Sequence, residues 1–113
     1  MIDSYSFGKM VVDGTSYDKD LIIRPNSVEP NWWRKEGHAL HVEDIRQVIE
    51  EDKPEILVMG TGKFGIVKIA DETRDFLKSK NVELIALKTD KAVKIYNELS
   101  ASGNVVGAFH LTC

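Results

Sequence analysis

Residues 55–65 read EILVMGTGKFG, and this stretch decides the fold of the chain. Residues 56–59 form an unbroken apolar run, which is typical of a strand that is buried on both faces of a sheet. Glycines follow directly at positions 60, 62 and 65, in the G-x-G-x-x-G spacing that lets a backbone turn tightly and approach a phosphate. The stretch therefore predicts an interior strand that runs into the one candidate ligand loop.

Helix and strand patterns alternate on both sides of this strand. Apolar residues at helical spacing predict three helices, over about 42–52, from about 71 to 81, and from 89 to a point before Gly103. Strand patterns follow the second and third helices, at 82–87 and 104–112, and the first of these reads as a strand covered on both faces. Such alternation indicates an α/β fold with crossover helices, in which ligands bind at the carboxyl ends of the strands.

The first part of the chain predicts an antiparallel hairpin. Two strand-like runs, 7–12 and 21–23, flank Asp13-Gly14, which is a strong hairpin turn. Pro25 and Pro30 then interrupt regular structure, because each fixes φ and lacks an N–H group. We expect the two runs to pair with each other.

Trp32, Trp33 and Arg34 form the candidate partner surface, on a short predicted strand. Because side chains alternate along a strand, the two indoles should point to opposite faces. In the structural interpretation one indole fills the core and the other covers a sheet edge. In the functional interpretation one indole anchors a partner, since an exposed Trp beside an Arg is typical of interface hot spots.

Composition argues against several classes of function. The 113 residues, 42% of them apolar, suffice for one domain with its own core. The formal net charge is −3 without any basic run, which argues against nucleic acid or an anionic membrane as the partner. The single cysteine, Cys113, cannot form an internal disulfide, and no signal-peptide or membrane-spanning pattern is present. We therefore expect a cytoplasmic protein.

The glycine loop has two ligand interpretations and one structural interpretation. A dinucleotide site needs a helix that opens within the glycines, whereas here the next helix pattern begins near residue 71. A triphosphate loop fails because the last glycine is followed by isoleucine rather than lysine. A smaller anion fits better, held at Gly60 to Lys63 by the N–H groups of Gly62 and Lys63, the Thr61 hydroxyl and the Lys63 ammonium. In the structural interpretation the glycines only form a tight turn.

The histidines give no metal site in the sequence. His38, His41 and His110 lack the i, i+4 spacing of a zinc protease, and no carboxylate stands in a motif with them. His110 is either a satisfied structural histidine on the last strand or an acid or base beside the ligand loop. We assign no catalytic residue, no metal and no cofactor from the sequence.

Several segments together resemble one known family. They are the run from Trp32-Trp33-Arg34 to Gly37-His38, the strand and loop LVMGTG, the helix that begins at Thr89 with Ala92 and Tyr96-Asn97, and the ending AFHLTC. Their order and spacing are similar to the Mth-domain family of small proteins. That family includes an adipogenesis-associated animal protein and, more distantly, an assembly factor for mitochondrial respiratory complex I.

The resemblance implies a fold and little about activity. It implies one domain over residues 1–113 with three layers: a central mixed sheet, helices on one side and an additional N-terminal β-hairpin layer. It implies no reaction, and the absence of a targeting extension argues against the mitochondrial role. We expect a non-enzymatic interaction or assembly module with an unknown protein partner at Trp32, Trp33 and Arg34. The alternative is a small-anion or nucleotide-binding protein, enzymatic or not, that uses the Gly60 to Gly65 loop with His110.

Overall fold

A five-stranded mixed sheet forms the centre of the structure, a computed structural model that describes all 113 residues. The elements in chain order are β1 (Ile2–Ser6), β2 (Lys9–Val12), β3 (Thr15–Tyr17), β4 (Leu21–Arg24), β5 (Ser27–Glu29), β6 (Ala39–Leu40), α1 (Val42–Asp52), β7 (Ile56–Thr61), β8 (Lys68–Ile69), α2 (Asp71–Ser79), β9 (Glu83–Leu87), α3 (Thr89–Ser100) and β10 (Val105–His110). The central strand order is β5-β4-β10-β7-β9. β10 and β9 both run parallel to β7, and β4 runs antiparallel to β10. The predicted α/β class with a mixed central sheet is confirmed.

β7 is interior to the sheet, as its apolar run predicts. It lies between β10 and β9, and Leu57, Val58 and Met59 are each 0% exposed. Leu57 and Met59 point into the core beneath α1 and α2, whereas Val58 points into the core beneath α3. Because side chains alternate along a strand, a continuous apolar run is what two covered faces require.

The two faces of the central sheet are covered differently. α1 and α2 pack on one face through Ile45, Val48, Ile49 and Leu77. α3 packs on the other face, together with a separate three-stranded sheet in the order β1-β2-β3. The expectation that all helices lie on one side is therefore wrong, since α3 shares its layer with the additional β-structure. None of the three helices has the length and hydropathy that a membrane crossing requires.

The predicted N-terminal hairpin is half right. Asp13-Gly14 makes the turn, with φ of 46° and 82°, but the returning arm is β3, which pairs with β2. β4 instead joins the central sheet, where it pairs with β10 and β5. The polar residues 18–20 end the small sheet and carry the chain across to the large one. The predicted pairing of 7–12 with 21–23 is wrong.

Three further boundaries depart from expectation. α1 has the predicted bounds, but Ala70 and Lys88 occupy the N-cap positions of α2 and α3, where Asp71 and Thr89 were expected. β9 is an edge strand with half-buried side chains rather than a fully covered one. Residues 32–34 are not a strand, because the chain turns at Asn31, whose φ is 57°.

Candidate functional site

A buried network of charged groups lies at the carboxyl end of the central sheet. His110 ends β10, and Asp20 immediately precedes β4, the antiparallel neighbour of β10. The end of one strand and the start of the other therefore meet at the same edge of the sheet. The His110 Nδ1 atom lies 2.7 Å from the Asp20 Oδ2 atom, and His110 is only 7% exposed.

Asp20 is the hub of this network. Its Oδ1 atom accepts the Leu111 backbone N–H at 2.8 Å, and its Oδ2 atom accepts Arg34 Nη1–H at 2.8 Å as well as the His110 ring. Burial raises the pKa of the Asp20 carboxyl, but hydrogen bonds from His110, Leu111 and Arg34 outweigh burial, so the pKa lies below its ordinary value. Asp20 is therefore a fixed, ionised carboxylate at neutral pH.

Arg34 is buried within the network and does not form part of the surface. Its guanidinium bonds to Asp20 and donates to the Gly37 carbonyl oxygen at 2.8 Å, and it stacks 4.9 Å from the centroid of the Trp32 ring. Only 7% of Arg34 is exposed, so little of its side chain is available for the direct partner contact that was expected. Its role is to hold the loop that carries the two tryptophans.

The tautomer of His110 follows from its partners. Nδ1 lies close to both the Asp20 carboxylate and the Arg34 Nη2 atom, at 2.7 and 3.0 Å. A carboxylate can only accept and a guanidinium can only donate, so the two contacts require opposite states of Nδ1. The shorter contact, to Asp20, places the proton on Nδ1, and Arg34 Nη2–H then bonds to the Gly37 carbonyl oxygen and not to the ring. In the neutral ring the lone pair is then on Nε2, which lies 3.4 Å from the Thr112 Oγ1 atom.

A cavity of about 490 Å³ opens beside this network. Its walls include Lys19, Asp20, Trp32, Trp33, Leu111 and Thr112. The cavity therefore joins the predicted tryptophan segment to the end of β10. The two features were predicted to have separate roles, whereas in the structure they border one cavity.

The two tryptophans differ strongly in exposure. Trp33 is 77% exposed, whereas Trp32 is half-buried, packs on the core beneath α1, and donates its indole N–H to the Asp44 carbonyl oxygen at 3.1 Å. The predicted divergence of the two indoles is thus present, although the segment is not a strand. Trp33 is the residue of the pair that is free to contact another molecule.

The glycine loop has no free donors of the predicted kind. No cavity of the structure is lined by any residue from 60 to 65. Each group that was expected to hold an anion, apart from the Lys63 ammonium, has a partner within the protein. The Gly62 N–H bonds to Thr89 Oγ1 at 2.9 Å, the Lys63 N–H to the Thr112 carbonyl oxygen at 2.7 Å, and the Thr61 hydroxyl to the Leu87 carbonyl oxygen at 3.0 Å.

The glycines instead allow close packing at the strand ends. A Cβ atom on Gly60 would lie 2.8 Å from a ring carbon of Phe109 and 2.9 Å from Thr89 Oγ1. Gly62 has a φ of +104°, and a Cβ there would lie 2.6 Å from the Cys113 carbonyl oxygen. The geometry therefore favours the structural interpretation of this loop.

Comparison with known proteins places the chain in a family. The family described as "Protein of unknown function (DUF498/DUF598)" matches residues 2–111. The chain belongs to this family. The family description gives no activity, so any function must be argued from the site itself.

Solved structures agree with this assignment. The conserved hypothetical protein PH1505 of Pyrococcus horikoshii is 26% identical, with a TM-score of 0.85 over 100% of this chain and 99% of that one. The protein MT938 is 29% identical, with a TM-score of 0.81 over 100% and 98% of the two chains. An Mth938-like domain protein of Bordetella pertussis shares 19% identity and a TM-score of 0.79 over 98% and 85%, and so shows the fold alone. The predicted Mth-domain resemblance is confirmed.

Two residues of the site, Asp20 and Thr112, were not predicted from the sequence. Both residues flank strand ends, and Thr112 follows His110 at a spacing of two, which places side chains on the same side of an extended chain. The spacing of His110 and Thr112 could therefore have been recognised in the sequence. No local sequence pattern, in contrast, indicates that Asp20 contacts a residue 90 positions away.

Proposed function

We propose that the protein is a protein-interaction module whose partner docks on Trp33 and on the cavity beside it. The observation that carries the proposal is the 77% exposure of the Trp33 side chain. Large aromatic side chains on a rigid support supply contact area at little entropic cost, and Trp is enriched among interface hot spots. The support here is the buried Arg34, which bonds to Asp20 and stacks on Trp32.

Two further exposed aromatics lie in loops that are bonded to the segment lining the cavity. Phe7 is 56% exposed and Phe64 is 63% exposed. Their loops are tied to the segment that also lines the Trp33 cavity, since the Gly8 N–H bonds to the Leu111 carbonyl oxygen at 2.8 Å and the Lys63 N–H to that of Thr112. Exposed aromatic side chains of this kind fit a partner that presents apolar side chains framed by polar groups.

The alternative function, a small-anion or nucleotide site in the glycine loop, receives no support from the geometry. Its backbone donors are occupied, and no cavity is lined by the loop. We therefore carry only the interaction module forward.

The test compares Trp33→Ala with Trp33→Phe and with Lys78→Ala, a change at an exposed position on α2. The wild type and the three variants are each used to isolate partners from native extract. Each captured protein is then purified, and its affinity for the four proteins is measured directly. We expect one partner to bind the wild type, Trp33→Phe and Lys78→Ala, and to lose about 30-fold or more in affinity with Trp33→Ala, since a hot-spot tryptophan contributes about 2 kcal/mol or more. Equal capture by Trp33→Ala at an unchanged thermal midpoint would refute the proposal.

A further inference from the structure

The hydrogen bond between Asp20 and His110 uses one ring nitrogen of the imidazole and leaves the other, Nε2, without a structural role. Asp20 holds the imidazole by its Nδ1–H, so the Nε2 lone pair is directed to the other end of the ring. Nε2 contacts the Thr112 hydroxyl, at 3.4 Å. Thr112 is half-buried and also lines the cavity of about 490 Å³, so the residue borders on space that a small molecule could enter.

We propose that Thr112 is a nucleophile that accepts an acyl group from small carboxylic esters, with His110 as its general base and Asp20 as the residue that positions the imidazole. The inference goes beyond the interaction module and does not depend on it. Hydroxyl, imidazole and carboxylate in this order are the arrangement by which enzymes activate a weak nucleophile, and it occurs on unrelated folds. Hydrogen bonds from base to nucleophile are often longer than about 3.2 Å in unliganded sites, which accommodates the separation seen here.

The surroundings of Asp20 fit the positioning role. A positioning carboxylate must be ionised, immobile and shielded, and Asp20 meets these needs through the Leu111 N–H and Arg34 Nη1–H, each at 2.8 Å. The Asp20 side chain is 18% exposed and that of His110 is 9% exposed. The imidazole therefore has one orientation, with its base nitrogen towards Thr112.

The cavity indicates the class of substrate. Trp32, Trp33 and Leu111 give it apolar walls, and its volume lies within the range of about 300–1,000 Å³ that is usual for small-molecule sites. An apolar acyl chain would lie against the indoles. Lys19 also lines the cavity and adds a positive charge to its rim.

The reaction balances without any cofactor. The Thr112 Oγ1 atom bonds to the carbonyl carbon while its proton passes to His110 Nε2, giving a tetrahedral intermediate. The bond from carbon to the leaving oxygen then breaks, and that oxygen takes the proton from Nε2, so the alcohol leaves and an acyl ester remains on Thr112. Water next adds to this ester as Nε2 accepts its proton. The acid departs, and the proton returns to Thr112 Oγ1.

The experiment uses p-nitrophenyl butyrate as the probe and follows both p-nitrophenolate release and intact mass. We expect the wild type and Thr112→Ser to release p-nitrophenolate and to carry a butyryl group on residue 112, located by peptide mapping. Thr112→Val should release p-nitrophenolate no faster than buffer, and His110→Gln should lose about 10²- to 10⁴-fold in rate. Thr15→Val, a change at an exposed threonine of β3, is the matched control and should keep the wild-type rate.

Two results would overturn the inference. One is a rate for Thr112→Val equal to that of the wild type, and the other is butyrylation that maps to lysines or to Cys113 but not to Thr112. Thr112 makes no hydrogen bond to Asp20 or Arg34, so Thr112→Val leaves those contacts in place even if His110→Gln fails to fold. Ester turnover tests the Thr112 nucleophile, whereas partner capture tests the interaction module. A negative result in one assay therefore refutes one proposal and leaves the other standing.

Discussion

Replacing Asp20 by Asn should destabilise the protein by about 3 kcal/mol at pH 7. The variant keeps one oxygen, so its NH₂ group must face either the Leu111 N–H or the donors of His110 and Arg34, and Arg34 becomes a buried charge without a carboxylate. A lost hydrogen bond to a charged group costs about 1.5–3 kcal/mol, and breaking a buried ion pair from one side costs about 3–5 kcal/mol. The two costs arise from the same contacts and are therefore not additive. Because the Asp20 side chain is also 18% exposed, we take about 3 kcal/mol as the total loss of stability.

Urea unfolding and thermal melting measure this loss, with Asp18→Asn as the matched control. Asp18 lines the same cavity but is exposed, so we expect its replacement to change stability by less than about 0.5 kcal/mol. For 113 residues the unfolding entropy is about 0.24 kcal/mol/K, so 3 kcal/mol corresponds to a fall of about 12 °C in the thermal midpoint. A loss below about 1 kcal/mol would refute the assignment of Asp20 as the hub.

The difference between the wild type and Asp20→Asn should also depend on pH in one direction. The pKa of Asp20 is lower in the folded protein than in the unfolded chain. Its stabilisation is therefore fully present above the ordinary carboxyl pKa of about 3.9 and is lost as pH falls through the folded-state value. We expect the difference to narrow as pH falls below about pH 4. A difference that stays the same down to pH 3 would show that the charge of Asp20 is not its cause.

Three more predictions concern β7 and the glycine loop. Leu57→Ala should cost about 2–5 kcal/mol in urea unfolding, because Leu57 is 0% exposed in an interior strand, and a loss below about 1 kcal/mol would contradict that position. Gly60→Ala should lower stability by about 1–3 kcal/mol, because the added methyl group would overpack against Phe109. An unchanged thermal midpoint would contradict this close packing at the strand ends. Millimolar phosphate, nucleotides or small carboxylates should leave the thermal midpoint of the wild type unchanged, because the loop donors are occupied. A rise in midpoint that Lys63→Ala abolishes would restore the anion hypothesis.

Local pattern was sufficient for the parts of the fold that local physics controls. The unbroken run before Gly60 predicted an interior strand, and the apolar spacing within 42–52 predicted α1 with its observed bounds. Which strands pair with each other is not determined by the local sequence of either strand. Asp13-Gly14 made the expected turn, but no feature of the sequence says that Leu21 pairs with Phe109 rather than with the strand before it.

The same limit applies to the candidate site. The glycine spacing indicated donors for an anion, but whether such donors are free depends on residues elsewhere in the chain. Here the Thr89 hydroxyl accepts the Gly62 N–H and itself donates to the His110 carbonyl oxygen at 2.7 Å, so the loop is bound to the neighbouring strand end. The tryptophan pair was found from composition, whereas the burial of Arg34 behind it followed only from its contact with Asp20.

One carboxylate therefore connects the two activities that we propose. Asp20 bonds to Arg34, which holds the loop of Trp33, and to His110, which faces Thr112. A loss of partner binding or of ester turnover in Asp20→Asn would follow from either activity, or from lower stability alone, and so identifies neither site. Trp33 and Thr112 line the same cavity, and neither side chain bonds to Asp20 or Arg34. Thr112→Val separates the two activities because it removes only the hydroxyl and leaves the Trp33 surface and the Asp20 network intact. Trp33→Ala tests partner binding but does not separate the activities, because it also removes an indole against which the acyl chain would lie.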